Sequence, residues 1–140
     1  MKRAIVLAGV SGVGKTHTRL NDPQLRDLPH LDIADVYRQF PELDWMEAFW
    51  ALVKRVREAL KDHPAVVIEG YLLPNSTTRR FLLNDMKVAG VQVEVRDLRA
   101  PFEVCQERIA AQYERGEIST VECRRRIELL KQCWRPQEAE

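Results

Sequence analysis

Residues 3–16 read RAIVLAGVSGVGKT, and this stretch decides the fold. Its first part, residues 3–8, is an apolar strand, and a strand that is apolar on both faces is typical of a buried parallel sheet. Residues 9–14 form a glycine-rich turn, after which the pattern predicts a short helix that begins near Lys15. A buried strand, a tight turn and a helix in this order indicate an α/β domain.

The rest of the chain continues this alternation. The pattern predicts strands over residues 30–33, 65–69 and 91–95, and helices over 44–62, 76–89, 101–115 and 119–134. Asp44 with Glu47, and Ser119 with Glu122, have the spacing of capping boxes. The alternating residues 91–95 indicate a strand near the edge of the sheet. We therefore expect a three-layer α/β sandwich with a minimal four-stranded parallel sheet, helices on both faces and a frayed polar tail after the last helix.

Composition narrows the classes of protein to consider. The 140 residues fit one domain, residues 1–140, and 45% hydrophobic with 31% charged residues excludes a disordered chain. The 22 basic and 21 acidic residues nearly cancel, so no overall electrostatic attraction to nucleic acid or to a membrane is implied. The chain has no apolar run long enough to span a membrane and no signal-peptide pattern. Its three cysteines are an odd number without paired spacing, so we expect a cytoplasmic protein.

The turn matches the phosphate-loop pattern G-x-x-x-x-G-K-[ST] in full. In this pattern glycines let backbone N–H groups surround phosphate oxygens, and the start of the following helix adds a positive partial charge. Lys15 would contact the β and γ phosphates, and the Thr16 hydroxyl would bind Mg²⁺. The predicted ligands are therefore ATP and Mg²⁺, bound by Gly9, Ser11, Gly12, Val13, Gly14, Lys15 and Thr16.

Three polar residues follow the next two strands at the same edge of the sheet. Asp35 could accept a proton from an attacking hydroxyl, and Arg38, one helical turn later, could bind a phosphate or carboxylate of the acceptor. The structural alternatives are a helix N-cap for Asp35 and a solvated charge for Arg38. Glu69 ends its strand and could position a magnesium-bound water or the acceptor, or it could cap the next turn.

Arginines and histidines complete the candidates. Arg108 and Arg115 are two helical turns apart on one face, as a lid that closes over a triphosphate would require. Residues 124–126 are three successive arginines, for which a solvated helical face is the simpler interpretation. His17, His30 and His63 have no partners at metal-ligand spacing and are interpreted as structural or solvated.

The phosphate loop, the run Asp35-Val36-Tyr37-Arg38-Gln39, the strand that ends at Glu69 and the arginines of residues 107–116 occur in an order that resembles a known family. The chain is similar, over residues 1–134, to the kinase domain of phosphate-loop kinases of the bacteriophage polynucleotide 5′-kinase type. The resemblance implies that Asp35 is the general base, that Arg38 binds the acceptor phosphate, and that Arg108 and Arg115 are lid arginines. Ala34 before the base and Gly70-Tyr71 after Glu69 depart from the pattern of that family.

The resulting hypothesis is an ATP- and Mg²⁺-dependent kinase with a C-terminal helical lid. Its expected acceptor is the 5′-hydroxyl of a nucleic acid. One alternative is a small-molecule kinase that acts on a nucleoside, nucleotide, sugar or modified-base hydroxyl. An alternative of another class is a nucleotide-binding switch or ATPase without an acceptor, which would not need Asp35 and Arg38.

Overall fold

A computed structural model describes residues 1–135 of the chain. Its elements, in chain order, are β1 Arg3–Ala8, α1 Lys15–Asn21, β2 His30–Asp32, α2 Ile33–Gln39, α3 Trp45–Asp62, β3 Ala65–Gly70, α4 Thr77–Val88, β4 Gln92–Asp97, α5 Phe102–Glu114 and α6 Thr120–Cys133. Residues 136–140 of the predicted frayed tail lie outside the described residues. Within residues 1–135, no helix is both long enough and apolar enough to cross a membrane.

The four strands form one parallel sheet in the order β2-β3-β1-β4. The central strand β1 pairs with β3 on one side and with β4 on the other, so Ala4 lies opposite both Val66 and Val93. This arrangement confirms the predicted parallel sheet and the predicted edge position of β4. It also brings the carboxyl ends of β1, β2 and β3 to one edge, where the connecting loops can form a site.

Successive side chains along each strand point to opposite faces of the sheet, and each face has its own apolar cluster. On one face Val6, Val66 and Ile68 pack against helices α3 and α4, with Phe49, Leu52, Leu82 and Met86 fully buried between them. On the other face a smaller cluster joins Ile5, Leu7 and Val67 to Leu25 in the segment after α1. Because both faces are covered, β1 is buried and apolar from Ala4 to Ala8, which explains the apolar run in the sequence.

Helix α2 is missing from the sequence prediction. It begins at Ile33, directly after β2, and only Ile33 and Val36 of its seven residues are buried. Its N-cap is Asp32, whose Oδ1 accepts a hydrogen bond from the Ala34 N–H at 2.9 Å. The strand therefore ends one residue earlier than predicted, and the N-cap role suggested as the alternative for Asp35 belongs to Asp32. Two buried positions are too few to produce a helical period in the sequence.

Helices α5 and α6 pack against each other and against the glycine-rich turn. Their shared core contains Val10 and Val13 of the turn together with Cys105, Ile109 and Leu130. The predicted capping box of α3 is complete, because Asp44 and Glu47 exchange both hydrogen bonds. The box predicted for α6 is half formed. Ser119 accepts from the Glu122 N–H at 3.0 Å, but the Glu122 carboxylate accepts hydrogen bonds from two arginines instead.

Candidate active site

The phosphate loop joins β1 to α1, at the edge of the sheet where the three strands end. Gly12 has a φ of +81°, and a Cβ on it would lie 2.4 Å from the backbone oxygen of Cys105, so only glycine fits there. Gly14, with a φ of +106°, forms the N-cap of α1. Ser11, Gly12, Gly14, Lys15 and Thr16 line a cavity, whereas the Val13 side chain packs into the core of α5 and α6.

Lys15 is folded back into the loop. Its Nζ donates a hydrogen bond to the Gly9 carbonyl at 2.6 Å and lies 4.9 Å from the centre of the Tyr71 ring. Burial lowers the pKa of Lys15 to about 8, and the nearby carboxylates of Asp32 and Glu69 act in the opposite direction. The loop therefore holds a poorly solvated ammonium group, which an incoming phosphate would stabilise.

Two carboxylates form the floor of the cavity beside Lys15. The Glu69 side chain is only 1% exposed, and its Oε2 lies 2.6 Å from His30 Nε2, while Oε1 lies 3.5 Å from Arg19 Nε. Burial alone would raise the pKa of Glu69, but the hydrogen bond and charge of His30, with Arg19 and Lys15, hold it below its usual range. Burial raises the pKa of Asp32, whose Oδ2 lies 4.0 Å from the same His30 nitrogen.

The floor residues have the chemistry of a cation site. One ligand atom from each of His30, Asp32 and Glu69 lies within 4.8 Å of the others. Carboxylate oxygens are the ligands that Mg²⁺ prefers, and Thr16 at the start of α1 adds a hydroxyl on the same cavity wall. These residues therefore fit the prediction that Mg²⁺ binds beside the Thr16 hydroxyl. The sequence prediction treated His30 as structural or solvated, because its partner Glu69 is 39 positions away in the chain.

The structure does not bring Asp35 and Arg38 to the cavity floor. Asp35 lies in the first turn of α2, exposed, with its Oδ1 3.1 Å from Arg38 NH1. Of the described residues, Asp32, Ile33, Ala34 and Tyr37 line the cavity on this side, and Asp35 and Arg38 do not. The reason is the early start of α2, which turns residue 35 outward and leaves residue 32, at the strand end, facing the phosphate loop. An aspartate that ends a strand was the available signal in the sequence.

The two predicted lid arginines both line the cavity. Arg108 NH1 donates to the Gly12 carbonyl at 3.1 Å, so α5 is directly hydrogen-bonded to the phosphate loop. The exposed Arg115 pairs with Glu117 through its Nε at 3.1 Å. The structure therefore places Arg108 at the loop and Arg115 farther out, at the end of the same helix.

Two of the three successive arginines of α6 also line the cavity, contrary to the interpretation of a solvated face. Arg126 donates to Gln112 at 3.1 Å and to Glu122 at 3.2 Å, and Arg125 lies over the Tyr37 ring, 5.5 Å from its centre. The signal for this face is the helical spacing of the lining residues of α6, which are Glu122, Arg125, Arg126 and Leu129.

These walls enclose one cavity of about 960 Å³. It extends from the phosphate loop and the carboxylate floor to α6 and to Tyr37 and Trp45, whose rings stack 6.2 Å apart. This volume is at the upper end of the usual range for ligand pockets, about 300–1,000 Å³, and can hold a nucleotide together with a small second ligand.

No protein-family model and no curated protein matches the chain. Solved structures do match. A protein of Chloroflexus aurantiacus described as a kinase is 20% identical, with a TM-score of 0.66 over 92% of this chain and 74% of its own. Mycobacterium tuberculosis APS kinase in complex with AMPPNP and APS is 19% identical, with a TM-score of 0.61 over 84% and 76%. A gluconokinase of Sinorhizobium meliloti is 19% identical, with a TM-score of 0.57 over 90% and 73%.

The likeness at these identities concerns the fold. It confirms the predicted α/β fold of phosphate-loop kinases, with a parallel four-stranded sheet flanked by helices. The named neighbours include an APS kinase and a gluconokinase, and none of the three is described as a polynucleotide kinase. The finer resemblance to the phage polynucleotide kinase thus gains no support from these structures.

Proposed function

We propose that the protein is an ATP-dependent kinase that transfers the γ-phosphoryl group to a hydroxyl of a small molecule. The observation that carries the proposal is the single cavity in which the phosphate loop, with Lys15 and Thr16, faces the carboxylate of Asp32. A phosphate-binding loop and a potential base in one cavity are what transfer to a hydroxyl needs.

The donor half of the site consists of the loop and the arginines of α5. Backbone N–H groups of the loop and the Lys15 ammonium would hold the β and γ phosphates. Mg²⁺, when bound near Thr16 and Glu69, would neutralise charge on the phosphates. Arg108 and Arg115 would add positive charge where it builds up during transfer, as expected for lid arginines.

In the acceptor half of the site, the proposed general base is Asp32, which replaces the predicted Asp35. As the acceptor oxygen bonds to the γ phosphorus, the bond from phosphorus to the ADP oxygen breaks, and the hydroxyl proton passes to the Asp32 carboxylate. The raised pKa of Asp32, caused by burial, makes this carboxylate a better proton acceptor than an exposed one. Glu69, kept ionised by His30, would hold the cation or its water.

A small acceptor fits the walls better than a polynucleotide end does. Residues of α2 and α6 line the cavity, and the ion pair of Arg38 with Glu122, 3.0 Å, connects these two helices beside it. The structural neighbours with named substrates, an APS kinase and a gluconokinase, support the same choice. The polynucleotide alternative rests on the resemblance of the run from Asp35 to Arg38, and the ATPase alternative needs no acceptor at all.

Transfer from γ-labelled ATP decides among the three. The protein would be incubated with Mg²⁺ and a panel of sugars, sugar acids, nucleosides, nucleotides and a 5′-hydroxyl oligonucleotide. We expect label on a small acceptor and faster ADP release in its presence. Label on the oligonucleotide alone would establish the polynucleotide alternative. ADP release that no acceptor stimulates, with label only in inorganic phosphate, would contradict the kinase proposal and favour the ATPase.

A further inference from the structure

Arg125 is an exposed cation of α6 that lines the cavity. Its guanidinium lies over the Tyr37 ring, and Tyr37 in turn stacks on Trp45. Among the described residues, no carboxylate lies within 4.0 Å of Arg125, whereas Arg38, Arg115 and Arg126 each have one. An arginine that rests on an aromatic face still presents its N–H groups at the edge of the guanidinium plane.

The neighbouring Arg126 is held differently. Gln112 and Glu122 both accept hydrogen bonds from it, and Glu122 also accepts one from Arg38 of α2, outside the cavity. The side chain of Glu122 is only 11% exposed, so this carboxylate is committed to two arginines. Glu122 thus balances the charge of Arg126 and Arg38. Of the described arginines that line the cavity, Arg108 and Arg125 have no carboxylate within 4.0 Å. Arg108 is hydrogen-bonded to the phosphate loop, so Arg125 is the one that remains for a ligand beyond the loop.

We propose that the acceptor is an anion, whose hydroxyl lies at Asp32 and whose oxyanion group is bound by Arg125 above the Tyr37 and Trp45 rings. The group is a carboxylate, phosphate or sulfate, since the planar fork of arginine binds each of them through two parallel hydrogen bonds. The aromatic pair covers the apolar part of the acceptor beside the anionic group. This inference rests on the proposed kinase function and adds the substrate class.

A binding experiment tests the subsite without any turnover. The protein is saturated with AMPPNP and Mg²⁺, which occupy the phosphate loop, and is then titrated in a calorimeter with 4-nitrophenyl phosphate. The neutral comparison ligand is 4-nitrobenzyl alcohol. We expect binding of the phosphate and at least tenfold weaker binding of the alcohol. Arg125→Gln should weaken binding of the phosphate about tenfold to hundredfold, the range for a lost charged contact.

Arg124→Gln is the matched control, because Arg124 is the neighbour of Arg125 on α6, is exposed like it, and is not among the described residues that line the cavity. Its affinity for 4-nitrophenyl phosphate should equal that of the unchanged protein. Thermal melts verify that both variants are folded. If both variants bind equally well, or if the unchanged protein binds the alcohol as tightly as the phosphate or binds neither, the oxyanion subsite is overturned.

Turnover supplies the second arm and separates this inference from the proposed function. Three pairs are compared as acceptors: gluconate with glucose, glycerate with glycerol, and thymidine 3′-phosphate with thymidine. We expect the anionic member of at least one pair to be phosphorylated, with an acceptor KM that Arg125→Gln raises at least tenfold while the KM for ATP is unchanged. Equal or faster turnover of the neutral members overturns the anionic acceptor and leaves the kinase intact. Anion binding without turnover of any compound sustains the subsite and contradicts the kinase.

Discussion

The two walls of the cavity are built in different ways. The phosphate-loop wall consists mainly of backbone from one continuous segment, which is held by Gly12 against Cys105 and by buried valines in the core of α5 and α6. The opposite wall consists of side chains from α2, α3 and α6 that are joined by ion pairs and aromatic contacts, such as Arg126 with Glu122 and Arg125 over Tyr37. Outside the cavity, Arg38 of α2 also pairs with Glu122.

This difference determines what each wall can be expected to recognise. Backbone N–H groups bind any phosphate, so the loop wall indicates the nucleotide and says little about the second ligand. Function is carried by side chains placed on a fold, so under the proposed function the second wall would carry the specificity for the acceptor. Substitutions in the two walls should therefore affect different measured quantities.

The largest effect is expected at Lys15, the one loop residue that acts through its side-chain charge. Lys15→Met should lower turnover of ATP by about 10³-fold or more, because the developing phosphate charge loses its closest cation. The measurement is ADP release at saturating acceptor. Turnover within tenfold of the unchanged protein would show that the loop wall does not hold the triphosphate as proposed.

The same substitution should stabilise the empty protein. Burial lowers the pKa of Lys15 to about 8 from 10.5, so the folded state binds fewer protons than the unfolded state between these values. The stability of the unchanged protein therefore rises as the pH increases from about 8 to about 10.5. At pH 7, denaturant titration of Lys15→Met should show a gain on the order of 1–3 kcal/mol, which shrinks above pH 8. A loss of stability at pH 7 would mean that the lysine contributes to the fold.

The next largest loss of kcat is expected at Asp32 on the cavity floor, and it can be compared directly with the effect at Asp35 outside the cavity. Asp32→Asn should lower kcat about 10²–10⁴-fold, while Asn keeps the N-cap of α2 and thus the melting temperature. Asp35→Asn should leave kcat within about twofold, because the exposed Asp35 contacts Arg38 and not the cavity. The reverse result, with kcat lost only in Asp35→Asn, would restore the base that the polynucleotide kinase resemblance implies.

The close packing of the loop wall can be broken without touching a charged group. Gly12→Ala should destabilise the protein by about 2–4 kcal/mol, from the positive φ and from the collision with the Cys105 backbone. Gly116→Ala is the matched control, since its φ is +73° but no described atom lies within 4 Å of the added Cβ. It should cost about 1–2 kcal/mol. Equal losses in chemical denaturation would show that α5 does not constrain the loop.

The phosphate-loop wall could be predicted from the sequence, whereas the opposite wall could not. The loop, its strand and its helix are contiguous, and the apolar period of α3 and its complete capping box are local signals. The contacts of His30 with Glu69 and of Arg38 with Glu122 join residues 39 and 84 positions apart, and no local pattern encodes them. The seven-residue helix α2, with only two buried positions, was not predicted. Because of it, the carboxylate that faces the loop is that of Asp32 and not the predicted Asp35.

Arg38 gives the smallest expected effect and distinguishes two roles for the second wall. A clamp on the acceptor phosphate, as the resemblance implies, would make Arg38→Gln raise the acceptor KM about tenfold to hundredfold. In the structure Arg38 is about half exposed and connects α2 to Glu122 of α6, so its pair is worth less than about 1 kcal/mol.

We therefore expect Arg38→Gln to raise the acceptor KM less than about fivefold and to leave the KM for ATP unchanged. Glu122 keeps Arg126 as a partner, so the carboxylate is not left unpaired and the melting temperature should change little. Steady-state kinetics with varied acceptor and saturating ATP give the value. A rise of tenfold or more would place Arg38 on the acceptor itself, whereas a rise in the KM for ATP would assign it to the loop wall and remove the division between the two walls.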